Sequence, residues 1–285
     1  MKLSMWSNYY GDLSLKDSLA KIAEAGIKYS ELAGLSLFTS SQNVSRLIED
    51  FQRHSSSIGI KTPQVHGSFG GQDHYLEPDS QEWNARLELF RKEIRVAGIL
   101  KIPVMVYHPI WFAKTTKISL KKLRDANRLF YRELLPDLQK NKVSIALENI
   151  SGICGTAKSL LELIDHIGGD RHLGICLDTS HLQAYSDGDA ARFIRRAGSR
   201  LIATHFSDAL LHGKRDMHLL PIFSQDGAGG WVNWAAIRDA LEEIDYKHLF
   251  NLEVPGSGVN TPMPVREQRL NEYVKIMDAF FKNKF

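Results

Sequence analysis

The chain has 285 residues, of which 43% are hydrophobic and 24% charged, with a formal net charge of +3. That length suits one (β/α)8 barrel or two smaller domains, and that apolar fraction suits a soluble protein with a large core. Charge is nearly balanced and has no run of five or more like residues, which leaves no general electrostatic case for binding nucleic acid or membrane.

Short apolar runs alternate with segments of helical spacing. The strand predicted over Lys2–Trp6 is followed by a helix over Leu15–Ala25, which opens at Ser14 with Asp17 three residues on, a capping-box signal. Strand Tyr29–Ala33 precedes helix Val44–Ile58, Thr62–His66 precedes Trp83–Ile99, Val104–His108 precedes Leu120–Gln139, and Val143–Glu148 precedes Ala157–Ile167. The last units are Leu173–Asp178 with Ala190–Ala197, Leu201–Phe206 with Trp234–Ile244, and Leu249–Glu253 with Val265–Phe281. Strict alternation implies a parallel sheet, because each parallel pair needs a crossover. Eight such units predict a single TIM-barrel domain over residues 1–285, with a doubly wound open sheet as the alternative. The longest irregular stretch, His212–Asn233, follows the seventh strand, and loops of that length are often functional.

Cys154 and Cys176 are not spaced as a CxxC pair and make no disulfide framework, so a reducing compartment is expected. The residues Met1–Ser7 turn polar too soon for a signal peptide, and no stretch stays apolar for about 18 residues. The expected setting is cytoplasmic, with no membrane partner.

The strand ends carry the chemistry. They finish at His66, His108, Glu148, Asp178, His205 and Glu253, with His181 just after strand six, Asp208 just after strand seven, and Asp216 and His218 in the long loop. In a parallel barrel these ends share one rim, and that rim is the active face. Imidazoles and carboxylates brought together there are ligands for a divalent cation, which would also offset their mutual repulsion. Taken singly, each has an ordinary structural reading: a hydrogen-bonded histidine, a surface acid, or Asp178 as a helix N-cap with His181 on the first turn. Trp6, Trp111, Trp231 and Trp234 are candidates for a sugar-binding wall or for plain packing, and Glu31 for a polar group of the site or a barrel-wall residue. Lys214 and Arg215 are either a phosphate contact or a solvated charge pair.

Over nearly its whole length the sequence resembles the sugar phosphate isomerase/epimerase group of the xylose-isomerase-like TIM-barrel superfamily, which also contains endonuclease IV. The resemblance rests on Leu147-Glu148-Asn149, Leu177-Asp178-Thr179-Ser180-His181, Thr204-His205-Phe206-Ser207-Asp208, Asp216-Met217-His218 with Pro221, and Leu252-Glu253. The chain departs from the pattern where Ile222–Asp226 separates Pro221 from Gly227 and the next helix begins Trp231-Val232-Asn233-Trp234. The resemblance implies one divalent ion (manganese, cobalt, magnesium or zinc) held by Glu148, Asp178, His205 and Glu253. It implies proton transfer through an enediolate by Glu148 and Glu253 acting on a keto-sugar, sugar phosphate or related polyol. His66, His108, His181, Asp216, His218, Trp6 and Glu31 would then bind substrate or support the ligands, in a chain that forms a dimer or tetramer. His66, His108, Glu148, Asp178, His181, His205, Asp216, His218 and Glu253 also match the ligand types of the trinuclear zinc site of endonuclease IV, which implies an abasic-DNA phosphodiesterase as the rival. A dehydratase, a lyase or a non-catalytic sugar-binding barrel completes the alternatives.

Overall fold

The fold is described from a computed structural model over residues 1–69, 74–112, 118–186, 188–211, 217–223, 229–256 and 261–282. Eight parallel strands run in the order β7-β6-β5-β4-β3-β2-β1-β8. They are β1 (Lys2–Trp6), β2 (Tyr29–Leu32), β3 (Lys61–His66), β4 (Val104–Tyr107), β5 (Ser144–Glu148), β6 (Leu173–Asp178), β7 (Leu201–His205) and β8 (Leu249–Leu252). The two end strands meet through a parallel bridge between Phe206 and Leu252, with Phe206 N–H donating to Asn251 O (2.7 Å) and Glu253 N–H to Phe206 O (3.0 Å). The sheet therefore closes into a (β/α)8 TIM barrel, and an open sheet is excluded.

The helices are α1 (Leu15–Glu24), α2 (Ser36–Thr39), α3 (Val44–Ser57), α4 (Gln81–Leu100), α5 (Leu120–Asn141), α6 (Ala157–Ile167), α7 (Thr179–Tyr185), α8 (Ala190–Ala197), α9 (Trp234–Glu243) and α10 (Met263–Phe281). Ser14 caps α1, its Oγ accepting from Asp17 N–H at 3.2 Å, while Asp17 Oδ2 accepts from Ser14 Oγ rather than from the Ser14 backbone, so the cap is not a reciprocal box. The predicted strands and the eight long helices agree with these to within two residues at each end, a margin set by fraying. No helix among the described residues is long and apolar enough to cross a membrane.

Strand alternation sorts side chains between two compartments. Met105, Tyr107, Ile145, Leu147, Ile175, Leu177, Phe250 and Leu252 point outward and join the core between barrel and helices. Val104, Val106, Ala146, Cys176 and Ala203 form a second, smaller cluster on the inner face. Those inner residues are short, so the lumen fills without bulk. The same parity then places the next inward residue on each strand, such as Glu148 two beyond Ala146 and Asp178 two beyond Cys176, at the C-terminal rim.

Candidate active site

Four donors from four consecutive strands converge at the rim. One ligand atom each from Glu148, Asp178, His205 and Glu253 lies within 4.8 Å of all the others. His205 Nδ1 is 3.2 Å from Glu148 Oε2 and 3.1 Å from Glu253 Oε2. Glu148 Oε2, Asp178 Oδ2 and His205 Nδ1 are all buried without a well-aligned hydrogen-bond partner. Buried polar atoms are nearly always satisfied, so three orphans facing one point fit a cation better than they fit one another.

Two of the donors, His205 and Asp178, are fixed from behind. The other nitrogen of His205, Nε2, meets Glu31 Oε1 at 2.9 Å, and Glu31 accepts a short hydrogen bond from Asn251 Nδ2. Asn251 Oδ1 in turn accepts from Ser4 Oγ at 2.8 Å. Asp178 keeps one oxygen as the N-cap of α7, accepting from His181 N–H at 2.8 Å, and leaves the other for the site. Asn149 clamps the Asp178 backbone from both sides, its amide donating to Asp178 O (2.9 Å) and its Oδ1 accepting from Asp178 N–H (2.7 Å). Asp178 is thus both the cap and the candidate ligand, so its structural and functional readings hold together.

The remaining histidines ring these carboxylates. His181 Nδ1 is 2.9 Å from Glu148 Oε1, while His66 Nε2 and His108 Nε2 stand 3.4 and 3.5 Å from Glu148 Oε2. His218 Nδ1 meets Glu253 O at 2.9 Å. Above them opens a cavity of about 400 Å³, lined by these histidines, Glu148, Glu253, Trp6, Asn8, Phe69 and Pro255. That is a size usual for a small-molecule site. Trp6 Nε1 is buried and unpartnered here, a donor available to a ligand.

The cluster's electrostatics are strongly coupled. Burial favours the neutral acid at Glu148, but the imidazoles of His205, His108 and His181 outweigh it and hold the carboxyl well below its usual range. Burial acts likewise on Glu253, yet His205 and His218 bring it down to about 2. Asp178 goes the other way: burial raises it to about 6 against the pull of His181 and His218. Burial opposes the charged form of His205, but the Cys176 sulfur and the carboxylates of Glu253, Glu31 and Glu148 raise it well above its usual value.

The site gathers His66, His108, Glu148, Asp178, His181, His205, His218, Glu253, Trp6 and, beneath them, Glu31. Asp216, Lys214 and Arg215 lie outside the described residues. Asp208 is not part of the cavity lining but a loop anchor, accepting from Ile222 N–H (2.8 Å), Val232 N–H (3.2 Å) and Trp234 Nε1 (3.2 Å). Trp234 is core, Trp231 lines a separate surface cleft, and Trp111 packs on Phe112, so of these four Trp6 alone lines the cavity. Asn8 and Pro255 were missed, because they come from short segments without a periodic signal.

The fold and this site define the class. Residues 19–279 match the xylose isomerase-like TIM barrel family, and the chain belongs to it. Among solved structures, D-psicose 3-epimerase of Clostridium cellulolyticum with D-tagatose superposes with a TM-score of 0.79 at 16% identity, covering 99% of both chains. A D-tagatose 3-epimerase-like protein gives 0.74 at 24% identity, covering 100% of this chain and 99% of that one. A stretch of 109 residues is 29% identical to a probable endonuclease 4 of Mycoplasma capricolum subsp. capricolum, which amounts to 36% of each chain. The match thus spans about a third of that relative.

Proposed function

We propose that the protein is a divalent-metal-dependent isomerase or epimerase of a keto-sugar or related polyol. The observation that carries this reading is the pair of acids Glu148 and Glu253, both on His205 Nδ1 and both facing the cavity. Likeness to the 3-epimerases supports it.

Glu148, Asp178, His205 and Glu253 are the residues that would hold the ion, and their mixed oxygen and nitrogen set suits manganese, cobalt, magnesium or zinc. When bound, the ion supplies Lewis acidity that polarises the substrate carbonyl and acidifies the adjacent C–H. One glutamate takes that proton and the other returns one, through an enediolate of the substrate. His205, His108 and His181 keep Glu148 ionised, with His66 Nε2 3.4 Å from its Oε2, and His205 with His218 keeps Glu253 ionised. Trp6 Nε1 donates to a substrate oxygen. The apolar surfaces of Trp6, Phe69 and Pro255 limit water access during the transfer.

Turnover of a keto-sugar in heavy water tests this directly. The product is expected to carry deuterium at the carbon beside the carbonyl, read by NMR; product free of deuterium would point to a hydride shift. Glu253→Gln is expected to lower kcat by a factor of about 100 or more, the usual worth of an acid–base group, with the circular dichroism spectrum unchanged. Wild-type activity in that variant would rule out the two-glutamate mechanism.

A second reading has its own support. His66, Glu148 and His205, and separately Asp178, His181 and His218, also form groups able to hold a cation. A site with several ions would favour the endonuclease-like phosphodiesterase, and the number of bound ions separates the two.

A further inference from the structure

The pocket wall beside His66 and His108 is held by a buried acid that never touches the pocket. Glu93, on α4, is only 1% exposed. Its carboxylate accepts three hydrogen bonds, from Ser68 Oγ (2.7 Å), Ser68 N–H (3.3 Å) and Tyr107 Oη (2.6 Å). Burial and Glu93 push the Tyr107 phenol well above its usual pKa, so it remains the donor. Among the described residues no cation pairs with Glu93. A buried acid in that position is satisfied by its donors alone, and three donors exceed what the single carbonyl oxygen of a glutamine accepts.

All three hydrogen bonds bear on one turn. Gly67 N–H donates to Val106 O at 2.8 Å, and a Cβ on Gly67 would fall 2.0 Å from a ring carbon of Tyr107. The chain leaving β3 is therefore pressed flat on the Tyr107 ring and then tied to Glu93 through Ser68. The next residue is Phe69. It lines the cavity with its ring 4.7 Å from that of His66 and 5.9 Å from that of His108, and it is 51% exposed. A ring so little buried has too little packing to fix its own position.

We propose that Phe69 is the specificity-determining wall that packs on the apolar face of the substrate, and that Glu93 is the positioning residue that sets it there. The substrate half of this rests on the keto-sugar reading; the positioning half does not.

The positioning half is read on the free protein. Phe69→Ala removes the ring-current shift on the His66 imidazole protons, and Glu93→Gln should move the same NMR signals in the same direction. Signals left unmoved by Glu93→Gln overturn the positioning role, whatever the protein's activity. The substrate half is read with D-tagatose on the metal-loaded enzyme. Phe69→Ala and Glu93→Gln should each raise KM about tenfold, the scale of one aromatic contact, with a much smaller change in kcat. The double variant should be no worse than Phe69→Ala, because Glu93 acts through Phe69. Losses that multiply, or that fall on kcat, overturn it. Should Glu93→Gln fail to fold, Ser68→Ala removes the Oγ donor while leaving α4 intact and is held to the same criteria. A wild type inert toward keto-sugars would refute the substrate half together with the proposed function, while the NMR comparison still decides the role of Glu93.

Discussion

His205 is where the site's two needs collide. Its Nε2 is committed to Glu31, which leaves Nδ1 as the ligand atom, and a ligand imidazole must be neutral there. In the metal-free protein the surrounding acids hold His205 well above its usual pKa, so at neutral pH Nδ1 carries a proton that a cation has to displace. Asp178 adds the opposite constraint. Its carboxyl is raised to about 6, so it is neutral in mild acid and ionised above that. Because this folded-state value lies above the unfolded one, Asp178 stabilises the metal-free fold at low pH and loses that contribution as pH rises toward 6. A bound cation reverses the sign by favouring the ionised form. Metal uptake near pH 7 is therefore expected to release about one proton, and affinity should weaken as pH falls through about 6. Calorimetry in buffers of different ionisation enthalpy checks the first point, and a heat independent of buffer would count against it. The donors themselves were legible in sequence as strand ends, but their protonation was not, since it arises from neighbours such as Glu31 and Cys176 that meet His205 only in the closed barrel.

At the level of elements, the strands were legible because parity and burial agree. In Ser144-Ile145-Ala146-Leu147-Glu148 the large residues face the helices and the small or acidic ones face the lumen, so one reading gives both the strand and the position of Glu148. The connections were not legible to the same degree. The 3-10 turn Ser7–Tyr10, which brings Asn8 to the pocket, and the one-turn helix α2 have no periodicity of their own. The long connection after β7 was visible only as a gap in the pattern. Its organiser is Asp208, fully buried, whose carboxylate gathers the backbone of Ile222 and Val232 and the indole of Trp234, while its own backbone pairs with Leu219. No spacing rule links those positions. Asp208→Ala would leave these buried donors without an acceptor. It is expected to cost about 3 kcal/mol in urea unfolding and to speed proteolysis between residues 217 and 233. Unchanged stability would show that water replaces the carboxylate at no cost.

For the molecule as a whole, the barrel has a seam. Seven strand pairs form ladders of several residues, whereas β7 and β8 meet through the single Phe206–Leu252 bridge. Two of the four candidate ligands, His205 and Glu253, stand at either side of that seam, and the other two extend the cluster across β6 and β5. A bound ion would therefore join the strands at the place where the backbone joins them least. Residues 105 positions apart in sequence, from Glu148 to Glu253, come under one constraint. Binding to the folded state alone at 100 times Kd is worth about 2.7 kcal/mol, so chelation should lower Tm. It should also raise amide exchange at Phe206 and Glu253 more than along β3 and β4, where no ladder depends on the ion. Equal loss of protection around the barrel would mean that the ion does not close the seam. The same preparation, purified without chelator and weighed by native mass spectrometry, counts the ions. About one per chain fits the seam-closing site of an isomerase. About three zinc ions would recruit the outer histidines His66, His108, His181 and His218 as ligands, and would move the reaction to phosphodiester cleavage.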